Sequence, residues 1–450
     1  MGCCDRTHDG SFDVPRLDIE RLAYGGDAIA HLEDGRTAFV SGGVPGDSAL
    51  VDIVEDKGRF VRARVTEVLQ PSAHRVVAPC PYFGACGGCT WQHIDYAEQL
   101  RAKRQELVDA LQRVGKIADA ERLVDECVAS DQQYGYRNKI ELVLDPNDKR
   151  PRLGYHRAGS HEVVAVDSCL LLPKRHAKAP TSLGGALRYI AGESDLGIER
   201  VAIRCAAHTR DVEVALWTSA GPFPRAAAAK TLGQAMQMTS LVRVMTKEGN
   251  RAKLAGVEVL AGKGHWRERL EGRTYAVSAP SFFQVNSAVA EKMVRLVTEM
   301  LAPDGSDRVL DLYAGAGTFT LPLAELAGEV VAVEAAGSAV KDLRRNLEEN
   351  AAWADVVGGD AAREIGALGR FDLVLVDPPR AGLHAAVVEQ LARTRPRALV
   401  YVSCDPATLA RDTARLAEAG LTLTRAVPVD LFPQTFHVET VALFEPAPST

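Results

Sequence analysis

Residues 308–334, RVLDLYAGAGTFTLPLAELAGEVVAVE, open on an apolar run, turn through Gly315 and Gly317, continue as a helical stretch and close on a second apolar run ending at Glu334. Strand, glycine turn, helix and strand in that order make one βαβ unit, in which the glycines let the main chain approach a ligand at the helix N-terminus. The alternation continues through DVVGGD, FDLVLVDPP and ALVYVSCDP to TVALF. Parallel strands buried on both faces read as continuous Val/Leu runs, as DLVLVD and ALVYVS do. Residues 281–450 are therefore predicted to form a doubly wound α/β domain.

Upstream the pattern differs. Short alternating runs (TAFV, ALVDIV, VRARVTEVL) separated by YGGD, LEDGR, SGGVPGD and EDKGR predict a small β-barrel over residues 14–70. Residues 94–114 place Leu100, Leu107, Leu111 and Val114 on one stripe with charges elsewhere, which predicts a long surface helix, with the α/β domain as the candidate for what it packs on. The rest of 71–280 mixes strands such as KIELVLD, HEVVAVD and IERVAIRC with helical PFPRAAAAKTLGQAMQM, in no regular βαβ order, and is assigned as a central α+β domain. Residues 1–13 are assigned as a disordered tail.

A chain of 450 residues with 46% apolar and 25% charged residues belongs among multidomain globular proteins and excludes a disulfide-built miniprotein. With 53 basic against 59 acidic residues the net charge is −6, so bulk charge repels polyanions and nucleic-acid binding requires a local basic face. No apolar stretch approaches the ~18 residues of a membrane span, and MGCCDRTHDG lacks the apolar core of a secretion signal. Arg6 stands where a myristoylation signal has Ser or Thr. The expectation is a cytoplasmic monomer without membrane contact.

Within the α/β domain the strand ends carry the chemistry. A dinucleotide fingerprint would have a third glycine where Thr320 stands, which argues against NAD. Glu334, seventeen residues beyond Gly317, can accept from both hydroxyls of an unphosphorylated ribose, or it is a solvated charge. Asp360 ends the third strand within reach of an adenine amino group, and Asp377-Pro378-Pro379-Arg380 ends the fourth. An acidic crevice without a GKS or GKT sequence suits the sulfonium and ammonium of S-adenosylmethionine better than a triphosphate.

Ser403-Cys404-Asp405-Pro406 ends the fifth strand and opens a helix with Asp405 as N-cap and Pro406 in its first turn. A helix N-terminus favours thiolate over thiol, as a nucleophile requires, although a lone cysteine can equally be a small buried hydrophobe. The chemistry that unites a methyl sulfonium with a thiolate is methylation of a pyrimidine at carbon 5. Thiolate addition at carbon 6 turns carbon 5 into an enolate carbon, and a base then removes its proton. Glu439, in Phe436-His437-Val438-Glu439-Thr440 before the final strand, is the candidate base; alternatively it is a strand-start charge.

In these residues the chain resembles the S-adenosylmethionine-dependent RNA uracil-5-methyltransferases, above all the 23S ribosomal RNA enzymes with an N-terminal TRAM domain. The resemblance runs through FVSGGVPGD, CPYFGACGGCTWQH, SFFQVN, DLYAGAGTFTLPLA, DPPRAG, SCDPATLARD and HVETVALF. It implies an OB-like TRAM barrel and a Rossmann-like methyltransferase domain. It further implies Cys404 as nucleophile, Glu439 as base, and cofactor contacts from Gln284, Tyr313, Glu334, Asp360 and Asp377 beside the Gly315, Gly317 and Thr318 turn. The ribosomal enzymes tend to have Phe at the place of Tyr313 and Asn at that of Thr318.

Cys80, Cys86 and Cys89 follow C-x5-C-x2-C in a Gly/Pro-rich loop, a spacing that suits a metal centre. By residue chemistry the fourth ligand is Cys127, Cys169 or Cys205, and four thiolates suit zinc as well as iron. The resemblance selects Cys169 and a [4Fe-4S] cluster in the central domain, with a structural or RNA-positioning role. For RNA contact the sequence offers the barrel and the interleaved Tyr134-Gly135-Tyr136-Arg137-Asn138-Lys139; those tyrosines could equally be core. The target is predicted to be a flipped or loop uridine, in 23S rRNA or, by the same chemistry, in tRNA. A cytosine-5 enzyme would carry a second cysteine after the proline where Pro379-Arg380 stand, and an amino-group methyltransferase needs none. A non-catalytic iron-sulfur RNA-binding protein is the alternative outside enzymes.

Overall fold

The computed structural model describes residues 15–144, 152–192, 194–247 and 250–447; the predicted tail 1–13 lies outside them. The chain divides into two compact units, Met1–Pro79 with Trp91–Ala102, and Cys80–Thr90 with Lys103–Thr450.

In the first unit β1 (Arg16–Asp18), β2 (Arg21–Leu22), β3 (Ala28–His31), β4 (Thr37–Ser41), β5 (Ser48–Asp56) and β6 (Phe60–Gln70) form a sheet ordered β1-β5-β6-β4-β3-β2. Period-two alternation buries Ala38, Val40, Ala49, Val51 and Val61, as the sequence pattern requires. At the SGGVPGD turn the buried Asp47 accepts hydrogen bonds from the amides of Val44 and Ser72 and pairs with Arg75, so one carboxylate closes the turn.

Helix α1 (Tyr96–Arg113) begins in the first unit and continues in the second. Leu107 and Leu111 are buried in the core of the C-terminal sheet, as expected of a helix packing there. Val114 lies past the helix end and is 44% exposed, so the apolar stripe stops at Leu111.

The second unit continues with α2 (Ala120–Leu123), β7 (Lys139–Leu144), β8 (Leu153–His156), β9 (Val163–Ala165), α3 (Ala179–Ala191), β10 (Ile198–Cys205), β11 (Val212–Ser219), α4 (Arg225–Ala235), β12 (Ser240–Lys247) and β13 (Asn250–Gly262). Its central sheet, β13-β12-β11-β10-β7-β8-β9, is antiparallel except where β11 and β12 run parallel across the α4 connection. A hairpin, β14 (Trp266–Leu270) and β15 (Arg273–Val277), follows.

The remaining elements are α5 (Ser287–Leu301), β16 (Arg308–Leu312), α6 (Thr320–Leu326), β17 (Glu329–Glu334), α7 (Gly337–Glu349), β18 (Asp355–Gly358), α8 (Ala361–Glu364), β19 (Leu373–Val376), α9 (Ala385–Thr394), β20 (Ala398–Ser403), α10 (Pro406–Glu418), β21 (Leu421–Val429) and β22 (Glu439–Pro446). The sheet order is β18-β17-β16-β19-β20-β22-β21. The first five strands are parallel, and β22 enters antiparallel between β20 and β21. Strand β21 was not expected: LTLTRAVPV carries polar residues and Pro428, unlike the parallel strands; it pairs with β22 on one side, and on the other Val124 bridges to Ala426 and Val128 to Val429. Apolar cores line both faces of the sheet. Among the described residues no helix is long and apolar enough to cross a membrane.

Candidate active site

At the end of β16 the chain reverses through Tyr313, whose φ of 66° is left-handed. The amides of Tyr313 and Ala314 both donate to the carbonyl of Val333. Glu334 completes the clasp: Oε2 accepts from the Gly315 amide at 2.9 Å and Oε1 from the Ala336 amide at 2.6 Å. Each oxygen keeps a second lone pair, which a ribose hydroxyl can use. Gly317 has φ 92°, and a Cβ there would sit 2.6 Å from Leu343 Cδ1, so only glycine fits.

Thr320, at the place of a dinucleotide fold's third glycine, donates through Oγ1 to Asp311 Oδ2 at 2.6 Å. Burial, with the Glu334 charge adding to it, pushes Asp311 up to about 7 against the pull of that hydrogen bond. Burial and the charges of Asp311 and Glu334 push Asp377 up to about 8. Burial thus disfavours the charged form of both Asp311 and Asp377. Asp360 is exposed and caps the short α8, accepting from the Ala362 amide at 3.1 Å.

Gln284 is buried and its Oε1 has no hydrogen-bond partner within the protein. Its main chain is held from the central domain: Asn138 Nδ2 donates to the Gln284 carbonyl at 2.8 Å and the Asn138 amide to the Val285 carbonyl at 2.8 Å. Phe282 beside it is 64% exposed, while Phe283 packs against Trp266 and Tyr275. The carbonyl of Thr318 accepts from the Tyr275 hydroxyl.

Cys404 follows β20 directly, and Asp405 caps α10 by accepting from the Thr408 amide at 2.8 Å with Pro406 in the first turn, as predicted. In the antiparallel register Ser403 faces Thr440, so the next residues outward are Cys404 and Glu439. Sequence reading brought these two together by chemistry alone; β22 does it physically.

The expected lowering of the Cys404 thiol is not found. Burial and the Glu439 carboxylate push it up to about 11, against the opposing pull of Arg380. Burial and Asp377 also raise Glu439 well above the ordinary carboxylate range, with Arg380 again opposing. Arg380, quoted in the sequence only as part of DPPRAG, is therefore the cation facing both groups. Its loop is fastened to α10: the Arg380 carbonyl accepts from Thr408 Oγ1, that of Ala381 from Arg411, and the buried Asp412 accepts from the Leu383 amide and the Tyr401 hydroxyl. Asp412 gave no signal in sequence beyond its place in an otherwise helical segment.

Residues 430–438 connect β21 to Glu439 at the start of β22. Lys103 and Asp430, both fully buried, pair at 2.5 Å, and Lys103 also donates to the Phe432 carbonyl. The Tyr136 hydroxyl donates to the Pro433 carbonyl at 3.1 Å, and the Thr90 amide to that of Gln434 at 3.0 Å. Tyr136 is thus a buried brace rather than an RNA contact. His437 lies against the rings of Phe436 and Phe432. Burial and the cations Arg380, Lys103 and Arg137 lower it to about 4, and its Nδ1 has no protein partner.

The cysteine loop is a tight turn laid on β8. The Gly87 amide donates to the His156 carbonyl, Cys86 bridges to Arg157, and the Gly88 amide donates to Cys86 Sγ at 3.4 Å. The Tyr82 hydroxyl ties the loop to Asp167, two residues before Cys169. The Cys86 thiol is raised by burial and by Cys169 and Cys80 beside it, and Tyr134 adjoins Cys80 and Cys89. Of the three sequence candidates for a fourth ligand, Cys205 is buried in the central core and Cys127 adjoins Asp430 and Lys103, whereas Cys169 neighbours Cys86. Four thiols with an N–H donor to sulfur are the donor chemistry of an iron-sulfur or zinc site. Among the described residues no three His, Cys, Asp or Glu side chains are gathered at ligating positions.

The family profile for tRNA (Uracil-5-)-methyltransferase matches residues 259–357 and 367–446, and that for the TRAM domain residues 12–68. An uncharacterized RNA methyltransferase of Thermosynechococcus vestitus is 34% identical over 95% of this chain and 97% of its own length. The 23S rRNA (uracil(1939)-C(5))-methyltransferase RlmD of Pseudomonas putida is 35% identical over 96% and 93%. Among solved structures, the Pyrococcus abyssi tRNA (uracil-54, C5)-methyltransferase in complex with S-adenosyl-L-homocysteine aligns with a TM-score of 0.76 at 28% identity, covering 95% of this chain and 99% of that one. With a methyltransferase sheet, a TRAM domain and relatives matched nearly end to end, the chain belongs to the S-adenosylmethionine-dependent RNA uracil-5-methyltransferases.

Proposed function

We propose that this enzyme methylates carbon 5 of a specific uridine through a covalent adduct with Cys404, and that Glu439 completes the reaction. The observation carrying this reading is the register of β20 and β22, from which Cys404 and Glu439 emerge side by side with Arg380 facing both. The thiol loses its proton to solvent, and the thiolate, supported by Arg380 and the α10 N-terminus, adds to carbon 6. S-adenosylmethionine supplies the methyl group to the resulting enolate carbon. Glu439 then takes the carbon-5 proton, the carbon 5–carbon 6 double bond re-forms and Cys404 leaves as thiolate. A carboxylate raised above its ordinary range is a stronger base than an exposed glutamate. Trapping with RNA carrying 5-fluorouridine tests this: fluorine cannot leave as a cation, so a crosslink to the peptide containing Cys404 is expected, and its absence in mass spectrometry overturns the covalent route.

The cofactor's adenosine is assigned to the clasp of Tyr313, Gly315, Gly317 and Thr318, with Glu334 on the ribose and Asp360 toward the adenine. Gln284, with its unpartnered buried oxygen, and Asp377 face the methyl-transfer end. The substrate is assigned to 23S rRNA on the likeness to RlmD; the tRNA enzyme's structural likeness favours tRNA as the second reading. Mapping 5-methyluridine in both RNAs from cells lacking the protein separates them. Cys80, Cys86, Cys89 and Cys169 are assigned as ligands of a [4Fe-4S] cluster, which would supply a rigid cross-link between the loop and the segment after β9. Iron and sulfide analysis of anaerobically purified protein tests it, and a colourless zinc-loaded protein refutes it.

A further inference from the structure

The cysteine loop ends at Thr90, and the Thr90 amide reaches the loop that leads to Glu439. Its acceptor, the carbonyl of Gln434, belongs to a residue with φ 71°. A non-glycine residue keeps a left-handed backbone only where its surroundings hold it. Around Gln434 the main-chain carbonyls of Phe432, Pro433 and Gln434 are bound in succession by Lys103, Tyr136 and Thr90. The first two donors sit on buried, packed side chains. The third sits one residue from Cys89, at the end of the cysteine loop.

We infer that Thr90 is a positioning residue: through its amide, the state of the cysteine site sets the order of residues 430–438 and so the placement of His437 and Glu439 against the substrate uridine. This rests on reading the four cysteines as a metal site, and it gives that site a task, alignment of the base-carrying loop, in place of electron transfer. His437, neutral, with an unpartnered Nδ1 and flanked by two aromatic rings, is the side chain whose contact with RNA such alignment would control.

The hydrogen bond can be removed without touching a catalytic group. Thr90→Pro deletes the donor, whereas Thr90→Ala keeps it and removes only a hydroxyl that has no partner. Amide exchange of the full-length protein, read on peptides spanning 430–438, is expected to accelerate in Thr90→Pro by roughly tenfold, the scale of one lost hydrogen bond, and to stay at the wild-type rate in Thr90→Ala. KM for RNA is expected to rise in Thr90→Pro and to hold in Thr90→Ala, with S-adenosylmethionine affinity unchanged in both. Cys89→Ser, which frees the loop but keeps the amide, and iron removal from the wild type by chelation should accelerate the same peptides and leave those of α9 unchanged. Exchange in 430–438 that is equal in Thr90→Pro, Cys89→Ser and wild type overturns the inference. Iron and sulfide analysis on the same samples separates the two failures: protein without either refutes the cluster, and the Thr90→Pro against Thr90→Ala comparison still decides the coupling.

Discussion

The crevice at the sheet's edge and the cysteine loop draw on the chain in opposite ways. In the crevice most contributors stand at strand ends: Tyr313 follows β16, Glu334 closes β17, Asp377 follows β19, Cys404 follows β20 and Glu439 opens β22. Hydrogen-bonded register aligns them before any side chain does. The cysteine loop has no strand of its own, and its turn is fixed by contacts to His156, Arg157 and Asp167, some seventy or more residues later. One site is a property of the fold; the other is a property of a few loop contacts. The two should therefore respond differently to damage.

The sharpest test is Cys404→Ala, expected to lower methyl transfer by at least about a thousandfold while calorimetry shows cofactor binding intact; loss of cofactor binding would mean the crevice is not preassembled by its strands. Next, Glu439→Gln should slow turnover by about 10²- to 10⁴-fold and accumulate a covalent protein–RNA species on denaturing gels, because addition and methylation proceed without release. The same variant removes a carboxylate that raises the Cys404 thiol, so the pH midpoint of its alkylation should fall below about 11.

Smaller effects follow at the supports. Asp412→Ala leaves the Leu383 amide and the Tyr401 hydroxyl without their acceptor, an expected loss of about 1–3 kcal/mol in denaturant unfolding. Asp311 and Asp377 have folded values of about 7 and about 8 against 3.8 unfolded. The folded chain then binds the extra protons, so their contribution is full below pH 4 and is lost as pH rises through 7 to 8. Asp311→Asn should accordingly raise Tm by more at pH 8 than at pH 5 in calorimetric scans. Least of all, chelation of iron should leave S-adenosylmethionine affinity unchanged. If that affinity falls with the metal, the contrast between the two regions is wrong.

The parallel core was legible because β19 and β20 are buried on both faces and read as near-continuous apolar runs, with β16 and β17 apolar apart from Asp311 and their charged ends. The start of α10 was legible because Asp405 and Pro406, a cap and a first-turn proline, stand together. Strand β21 was not, since LTLTRAVPV is broken by polar residues and Pro428, and the Val124 and Val128 bridges on its outer side come from a segment about three hundred residues earlier. The direction of the Cys404 shift was not either: a helix N-terminus is visible in sequence, but the burial and the Glu439 carboxylate that outweigh it arise only when β22 folds beside β20. Tyr136 illustrates the same limit, because a tyrosine next to arginine and lysine reads as a surface until the Pro433 carbonyl that it braces comes into view.

The insertion of β22 between β20 and β21 has a consequence for biosynthesis and for truncation. Until residues 439–446 arrive, two strand edges stand open and apart, each a template for a foreign chain. On the proposed covalent route, a protein stopped at residue 438 lacks the base, so a methylated adduct would stay attached while an unmethylated one could still revert. Closure of the gap and, on that route, release of product thus depend on the same eight residues.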